Sequence, residues 1–176
     1  MDPVTNEVLI DRPHGEVFAY LADIAHWPEF TDHFLGYWHL TREDSYGRGA
    51  GARYRTLRRF DRFAYGDFTL YEVIPPRRIV ARGRGGKFNR NRTVLVFELE
   101  PEGADATRVS LSVETLPALP TDKAMEIVLR SRAWSRRRWG KALRRLRSIL
   151  EDGEERGRTV TISGGARKPA TGAPIR

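Results

Sequence analysis

The pattern of hydrophobic and polar positions changes its period twice along the 176-residue chain. Val4 to Ile10 reads as a first strand, and Pro13 then opens a helix to about Asp23 whose apolar residues return on one face. Trp27-Pro28 ends this helix, because the residue before a proline is pushed out of the helical region. The pattern predicts a strand followed by two short helices.

Alternating runs rich in aromatic and β-branched residues come next, separated by turn material that contains Gly and Pro. Their number and their hairpin spacing favour an antiparallel meander. The six predicted strands are Leu35 to Glu43, Ala52 to Arg59, Tyr65 to Ile74, Arg78 to Arg84, Thr93 to Glu100 and Thr107 to Glu114.

From Thr121 to about Glu151 the period becomes that of a helix, with prolines before it and Gly153 after it. A rotation of about 100° per residue gathers an apolar sector, which we expect to face the concave side of the sheet. Arg132 breaks the pattern within that sector, and Trp134 lies among arginines outside it. The sector contains Met125, Val128, Trp139, Ala142, Leu143, Leu146, Ile149 and Leu150, together with Ser131, Arg132 and Ser135.

Composition sets the domain limits and excludes some chemistry. The chain has no cysteine, which removes disulfides, thiolate zinc sites and cysteine nucleophiles. Residues 1–152 are predicted to form one domain, and residues 153–176, rich in Gly, Pro, Ala and Arg, a disordered basic tail. The start of the chain does not match an export segment, and no apolar run approaches the ~20 residues needed to span a bilayer. We therefore expect a soluble, cytoplasmic protein.

Several segments resemble the START-like, or SRPBCC, superfamily, in particular its polyketide cyclase/dehydrase members. They are the helix and turn EVFAYLADIAHWPEF, the strand opening GAGARYRTL, the turn YEVIPPRRIV and the closing long helix. The resemblance covers about residues 4–150. It implies an α+β helix-grip fold, in which a curved antiparallel sheet of about seven strands wraps around the C-terminal helix and encloses a cavity for a hydrophobic molecule. It does not imply one reaction, because such folds serve lipid carriers, hormone receptors and aromatase/cyclases.

The lining of the expected cavity follows from strand geometry, because alternate side chains of each strand share the space under the last helix. A filled core explains any one of these residues. As a group they include more aromatics and hydroxyls than an aliphatic core needs, which is typical of a ligand pocket. The predicted lining is Trp38, Leu40, Tyr54, Thr56, Phe68, Leu70, Leu95, Phe97, Val109 and Leu111 from the strands, and Arg132, Ser135 and Trp139 from the helix.

Arg132 is the sharpest single candidate for a ligand contact. A guanidinium in an apolar sector is costly unless it is paired, and it could bind a ligand carboxylate, phenolate or carbonyl. Two alternatives remain: pairing with an internal carboxylate such as Glu72, or an outward reach of the head group at the cavity mouth.

Enzymatic motifs are mostly missing. The glycine-rich stretch from Gly83 to Phe88 lacks the spacing and the hydroxyl residue of a phosphate-binding loop, and we interpret it as a hairpin turn. No nucleophile elbow occurs. The four histidines lack metal-ligand spacing, and the polar residues around His26 and His33 are interpreted as a solvated loop. We predict no metal and no cofactor. If there is catalysis, Tyr54, Arg132 and Ser135 would orient a polyketide-like chain and polarise its carbonyls.

The remaining sectors of the last helix carry a second possible function. A solvated basic face is the preferred interpretation, and binding to an anionic membrane or to nucleic acid is the alternative. In the preferred interpretation Trp134 packs on a strand edge or a partner chain, and in the alternative it joins the basic residues in binding. A third possibility is that Trp134 anchors a homodimer contact. The basic residues are Arg130, Arg136, Arg137, Arg138, Lys141, Arg144, Arg145 and Arg147. Overall, the sequence favours binding or transport of a small hydrophobic ligand over cyclase/dehydrase activity.

Overall fold

The computed structural model describes residues 3–57, 64–86, 89–116 and 131–153. Seven strands and three α-helices occupy these ranges, with a short 3-10 turn at Ile24–His26. The strands are β1 (Val4–Ile10), β2 (Leu35–Leu40), β3 (Gly51–Thr56), β4 (Tyr65–Ile74), β5 (Arg78–Gly85), β6 (Asn91–Pro101) and β7 (Thr107–Leu116), and the helices are α1 (His14–Leu21), α2 (Trp27–Thr31) and α3 (Ser131–Asp152).

The strands form one antiparallel sheet in the order β1-β7-β6-β5-β4-β3-β2. Strands β2 to β7 follow each other as a meander, and β1 closes the sheet by pairing with β7 from Val4 opposite Val113 to Ile10 opposite Thr107. Register shifts interrupt the pairing between Gly36 and His39 and between Leu70 and Glu72. Such irregularities bend and twist strands. The predicted antiparallel meander and the α+β helix-grip class are confirmed.

The helices cover one face of the sheet, here called the inner face. Helix α3 packs against β1 and α2, α1 packs against β6, and the 3-10 turn contacts β3. Trp27 is fully buried, and its indole N–H donates to the Leu21 carbonyl at 3.0 Å. The expectation that Trp27-Pro28 only ends a helix was incomplete. Helix α1 has already ended at Leu21, and Pro28 lies in the first turn of α2, where a missing N–H costs nothing.

Helix α3 contacts β1 in its middle, and its C-terminal end is bonded to a residue that follows β1. A Cβ atom on Gly140 would lie 2.9 Å from Oδ1 of Asn6, so a larger residue there would require the Asn6 side chain to move. After β1, Arg12 donates from Nε to the Leu150 carbonyl at 2.7 Å and from Nη2 to the Glu151 carbonyl at 3.0 Å. Carbonyls of the last helical turn have no partner within the helix, so these bonds stabilise its end.

The described part of α3 buries the apolar sector that the sequence indicates. Trp139, Ala142, Leu143, Leu146 and Ile149 are all buried. The predicted first part of this helix, with Met125, Val128 and Arg130, lies outside the described residues, as does the predicted tail from residue 154 onward. None of the helices in the described ranges is both long and apolar enough to span a bilayer.

Candidate ligand-binding face

The inner face receives the strand residues that the alternation indicates. Tyr54 and Thr56 are half-buried there. The other predicted lining residues of the strands are fully buried, namely Trp38, Leu40, Phe68, Leu70, Leu95, Phe97, Val109 and Leu111. From helix α3, Ser135 and Trp139 are buried as well. The sheet and the helix therefore bring twelve of the thirteen predicted residues toward one interior.

An aromatic cluster occupies the part of this interior under α2. The Trp27 ring centroid lies 5.7 Å from that of Phe68 and 5.6 Å from that of Phe97. Phe30 adds a further contact at 6.4 Å. Phe68 and Phe97 thus pack against a tryptophan that the sequence analysis assigned only to a helix boundary. A buried aromatic side chain contributes more to the core than any aliphatic one, so this cluster fixes α2 on the sheet.

A second aromatic group lies over strands β3 to β5 and is built on glycines. Tyr54 stacks on Phe68 with centroids 4.7 Å apart, and Trp38 lies 5.4 Å from Tyr54. A Cβ atom on Gly66 would come within 2.7 Å of the Tyr54 hydroxyl oxygen, and a Cβ on Gly83 within 2.7 Å of the Phe68 ring. The two rings therefore occupy the space that side chains at these glycines would fill.

The Tyr54 hydroxyl is a neutral polar group on this face. Burial, followed by the negative charge of Asp67, raises the pKa of Tyr54 well above its ordinary value. The phenol keeps its proton at neutral pH, so it can donate one hydrogen bond to a neighbouring carbonyl or hydroxyl.

Polar side chains also mark the end of the face where the β5–β6 hairpin begins. Thr93 is paired with Gly83 on one side and with Thr115 on the other, which places both threonines on the inner face. Asn91 lies opposite Gly85, and its buried Oδ1 accepts no hydrogen bond from the residues that the structure describes. These residues are absent from the predicted lining, although Thr93 has the same strand phase as Leu95 and the alternation alone indicates it.

Arg132 does not lie where its sector predicted. Its side chain is exposed, so the guanidinium does not lie in the interior beneath the helix, and a ligand contact by Arg132 stays a prediction. Exposure agrees with the alternative in which the long side chain carries its charge outward. Glu72, the carboxylate considered as its partner, instead contacts Arg78 at 3.5 Å. Ser135, one turn later on α3, is the polar residue that the helix does bury.

An ionic cluster joins α3 to the chain that leaves α2. Asp32 forms an ion pair with Arg145, whose Nη2 donates to Oδ2 at 3.0 Å. Next to it, a ring nitrogen of His33 lies 3.2 Å from the Arg138 carbonyl. Burial, together with the charges of Arg145 and Lys141, lowers the pKa of His33 to about 4.

The interpretation of the histidines as a solvated loop was therefore wrong. The His33 side chain is 7% exposed. His26 stacks on Tyr20 with ring centroids 4.4 Å apart, and Tyr20 donates to Glu29 at 2.6 Å. Asp23 is buried and accepts the Ala25 N–H at 2.9 Å. These groups hold the short helices in place. No cluster of metal-ligating side chains occurs among the described residues.

Trp134 is half-buried rather than exposed. Its ring lies 5.9 Å from that of Phe34 in an edge-on arrangement, and the Arg138 guanidinium lies 5.9 Å from the Trp134 ring centroid. Much of its surface is thus covered by its own chain. A homodimer contact through Trp134 stays a prediction.

An open depression lies apart from the inner face, at the loop between β2 and β3. It is lined mainly by charged and polar residues, namely Arg42, Glu43, Asp44, Tyr46 and Arg48, with Gly49 and Ala50. This lining differs from the apolar one that the sequence predicts for a hydrophobic ligand, so we do not assign that ligand to it.

A family model described as "Polyketide cyclase / dehydrase and lipid transport" matches residues 1–151. No curated protein matches the chain.

Solved structures share the fold at low sequence identity. KanY matches with a TM-score of 0.67 at 16% identity, covering 84% of this chain and 96% of its own. DynU16, a protein in the dynemicin biosynthetic locus, matches with a TM-score of 0.57 at 20% identity. The match covers 88% of this chain and 49% of DynU16. The Aha1 dimer from Colwellia psychrerythraea matches with a TM-score of 0.57 at 16% identity. The match covers 88% of this chain and 99% of the Aha1 chain. At such identities the likeness shows the fold alone. The family match over nearly the whole domain shows that the chain belongs to the polyketide cyclase/dehydrase and lipid-transport family, as the sequence resemblance indicates.

Proposed function

We propose that the protein binds and carries a small hydrophobic molecule, a lipid, polyketide or aromatic compound, between the inner face of the sheet and helix α3. The family match supports this proposal. The observation that carries it is the platform of Tyr54 and Phe68 over Gly66 and Gly83. Both rings are held over small residues, and an aromatic surface of this kind suits an apolar or aromatic ligand.

The polar groups of the described strands favour a neutral ligand. Those on the inner face are uncharged, and they include the Tyr54 phenol, the Thr56, Thr93 and Thr115 hydroxyls and the Asn91 amide. Ligand pockets of this kind orient an apolar molecule with a few hydrogen bonds. Asn91 Oδ1 is an acceptor, so a hydroxyl or phenol on the ligand would be its natural partner.

Carriage is favoured over a reaction by the protonation states near the site. General acid–base catalysis at neutral pH works best with a group whose pKa lies near 7. The pKa of Tyr54 is raised far above this, and that of His33 is lowered to about 4. The Tyr54 phenol could still polarise a carbonyl by hydrogen bonding, which is the observation that favours cyclase/dehydrase activity as the second candidate.

The proposal is tested by native mass spectrometry of the freshly purified protein, followed by solvent extraction of any compound bound to it. The extracted compound is then titrated into Thr93→Leu, which fills the polar end of the inner face. Thr69→Leu on β4, two strands away in the sheet and pointing to the other face, is the matched control. We expect binding at least about 10-fold weaker in the Thr93 variant only, because the larger side chain takes up ligand space.

Two outcomes would contradict the proposal. One is a protein that carries no small molecule and binds none of the lipid, polyketide or aromatic compounds offered to it. The other is equal binding by both threonine variants. Tyr54→Phe distinguishes the two candidate functions, since loss of the hydroxyl should reduce turnover of a polyketide chain but only modestly reduce binding of an apolar ligand.

A further inference from the structure

The face of the sheet that points away from the helices, here called the outer face, carries a concentration of arginine on β3 to β6. Five arginines there have exposed side chains, namely Arg53, Arg55, Arg82, Arg84 and Arg92. Cross-strand pairing makes them neighbours, since Arg84 lies opposite Arg92 and both Arg53 and Arg84 lie opposite Asp67.

Exposed tyrosines are interleaved with these arginines. Tyr37 is 70% exposed, Tyr65 57% and Tyr71 47%. The Arg55 guanidinium lies 5.6 Å from the Tyr37 ring centroid and 5.8 Å from that of Tyr65, and Arg82 lies 3.5 Å from that of Tyr71. Together the five arginines and three tyrosines form what we call the arginine–tyrosine surface.

The sign of the charge changes across the outer face. Asp67 lies between Arg53 and Arg84 of the arginine–tyrosine surface, and its Oδ1 accepts the Arg84 backbone N–H at 3.1 Å. The other part of the face, on β6, β7 and β1, exposes Glu7, Glu98 and Glu100. Arg108 in that part is paired with Glu102 at 2.7 Å. A negatively charged partner would therefore be attracted to the first part and repelled by the second.

We propose that the arginine–tyrosine surface binds single-stranded nucleic acid. Arginines neutralise backbone phosphates, and exposed aromatic rings provide stacking surfaces for unpaired bases. Arginine held against tyrosine offers both kinds of contact side by side. Tyr65 and Tyr71 lie six residues apart on β4, or roughly 20 Å at the rise of a strand. That distance is long enough for several nucleotides to lie between the two rings.

The chemistry of the exposed side chains favours this partner over a lipid surface. Peripheral membrane contact normally combines basic residues with a continuous strip of aliphatic or tryptophan side chains that enter the bilayer. The arginine–tyrosine surface instead has phenol rings separated by guanidinium groups. It is also distinct from the basic face of helix α3, which lies on the other side of the sheet.

The test measures binding of fluorescently labelled oligo-uridylate and oligo-thymidylate to the full-length protein by anisotropy over a series of salt concentrations. The double variant Arg55→Ala/Arg82→Ala should bind at least about 10-fold more weakly at low salt. Its slope of log affinity against log salt should fall by about 1.4, because each phosphate contact to a single strand contributes about 0.7. The charge-matched control is Arg136→Ala/Arg137→Ala, which removes two exposed cations from helix α3 and should have a much smaller effect.

The aromatic part is tested by Tyr65→Ala and Tyr71→Ala, each expected to weaken binding about 5-fold or more through loss of stacking. Tyr46→Ala, at an exposed tyrosine outside the surface, should leave affinity unchanged.

Three results would overturn the proposal. They are no binding at low salt, equal losses from the sheet and helix arginine pairs, and binding to phosphatidylglycerol vesicles that oligo-uridylate does not compete away. Circular dichroism of each variant verifies that it is folded.

Discussion

The inner and outer faces of the sheet are made by the same strands but have opposite chemistry. On β4, Gly66, Phe68 and Leu70 point inward and are buried, while Tyr65 and Asp67 point outward between arginines. Side chains of neighbouring residues on a strand lie on opposite faces, so the sequence can specify each surface independently of the other. A substitution on one face should therefore leave the function of the other largely intact.

The largest difference in stability is expected between removing Trp27, which packs on the inner face from helix α2, and removing an aromatic residue of the outer face. Trp27→Ala should lower the free energy of unfolding by about 3 to 5 kcal/mol, because it leaves a cavity between Phe68 and Phe97. Tyr65→Ala on the outer face should change it by no more than about 0.5 kcal/mol. Urea denaturation measures both values. Similar losses in the two variants would mean that the inner cluster does not hold α2 on the sheet.

Acid should lower the free energy of unfolding, because the buried His33 resists protonation. Above pH 6.5 the imidazole is neutral in both states, but as the pH falls to about 4 the unfolded chain takes up a proton that the folded chain resists. The stability present above pH 6.5 is then lost, by up to about 3 kcal/mol. His33→Gln should flatten this part of the pH profile, whereas the exposed His39→Gln should not. Parallel profiles for wild type and His33→Gln would contradict the assignment.

Two glycines of β5 offer a finer comparison within the inner face. A Cβ atom on Gly83 would lie 2.5 Å from the Asp67 carbonyl oxygen, whereas one on Gly85 has its nearest neighbour at 3.4 Å. Gly83→Ala should therefore destabilise the protein by about 1 to 3 kcal/mol. Gly85→Ala should be neutral or slightly stabilising, because alanine restricts the unfolded chain. Thermal melting compares them, and equal melting temperatures would remove the steric argument for the Tyr54–Phe68 platform.

The smallest expected effect is the difference in stability between removing Arg145 and removing Arg147 from α3. Arg145 is 18% exposed and paired with Asp32, so Arg145→Ala should cost about 1 to 2 kcal/mol by leaving a half-buried carboxylate without its partner. Arg147 is 48% exposed in its pair with Glu151, and its loss should cost less. Chemical denaturation at low and high salt checks this order. A reversed order would show that α3 is not held to Asp32 by charge.

The fold was largely predictable because its signals are local. Alternation gave β1 and β4 with the bounds that the structure has, and the other strands within a few residues. A short helix was harder to place. The Trp27-Pro28 pair looked like an ending because proline restricts the residue before it, yet burial of Trp27 under the sheet allows a new helix to start there.

The candidate site was predictable only where periodicity decides orientation. The strand phase placed Phe68 and Phe97 correctly, but the helical sector gave no warning that Arg132 turns outward. The contacts of Asp32 with Arg145, and of Tyr54 with Gly66, join residues far apart in sequence or depend on cross-strand register. Such pairings arise from tertiary packing, which one sequence does not display.

The pairing of β1 with β7 has a consequence for biosynthesis. During translation Val4–Ile10 is made before its hydrogen-bonding partner, residues 107–113, which follow about a hundred residues later. At ordinary elongation rates of about 5 to 20 residues per second, this strand waits several seconds with its backbone unpaired. The nascent chain is therefore most exposed to misassociation before β7 emerges, and a ribosome-bound chaperone would have its greatest effect in that interval.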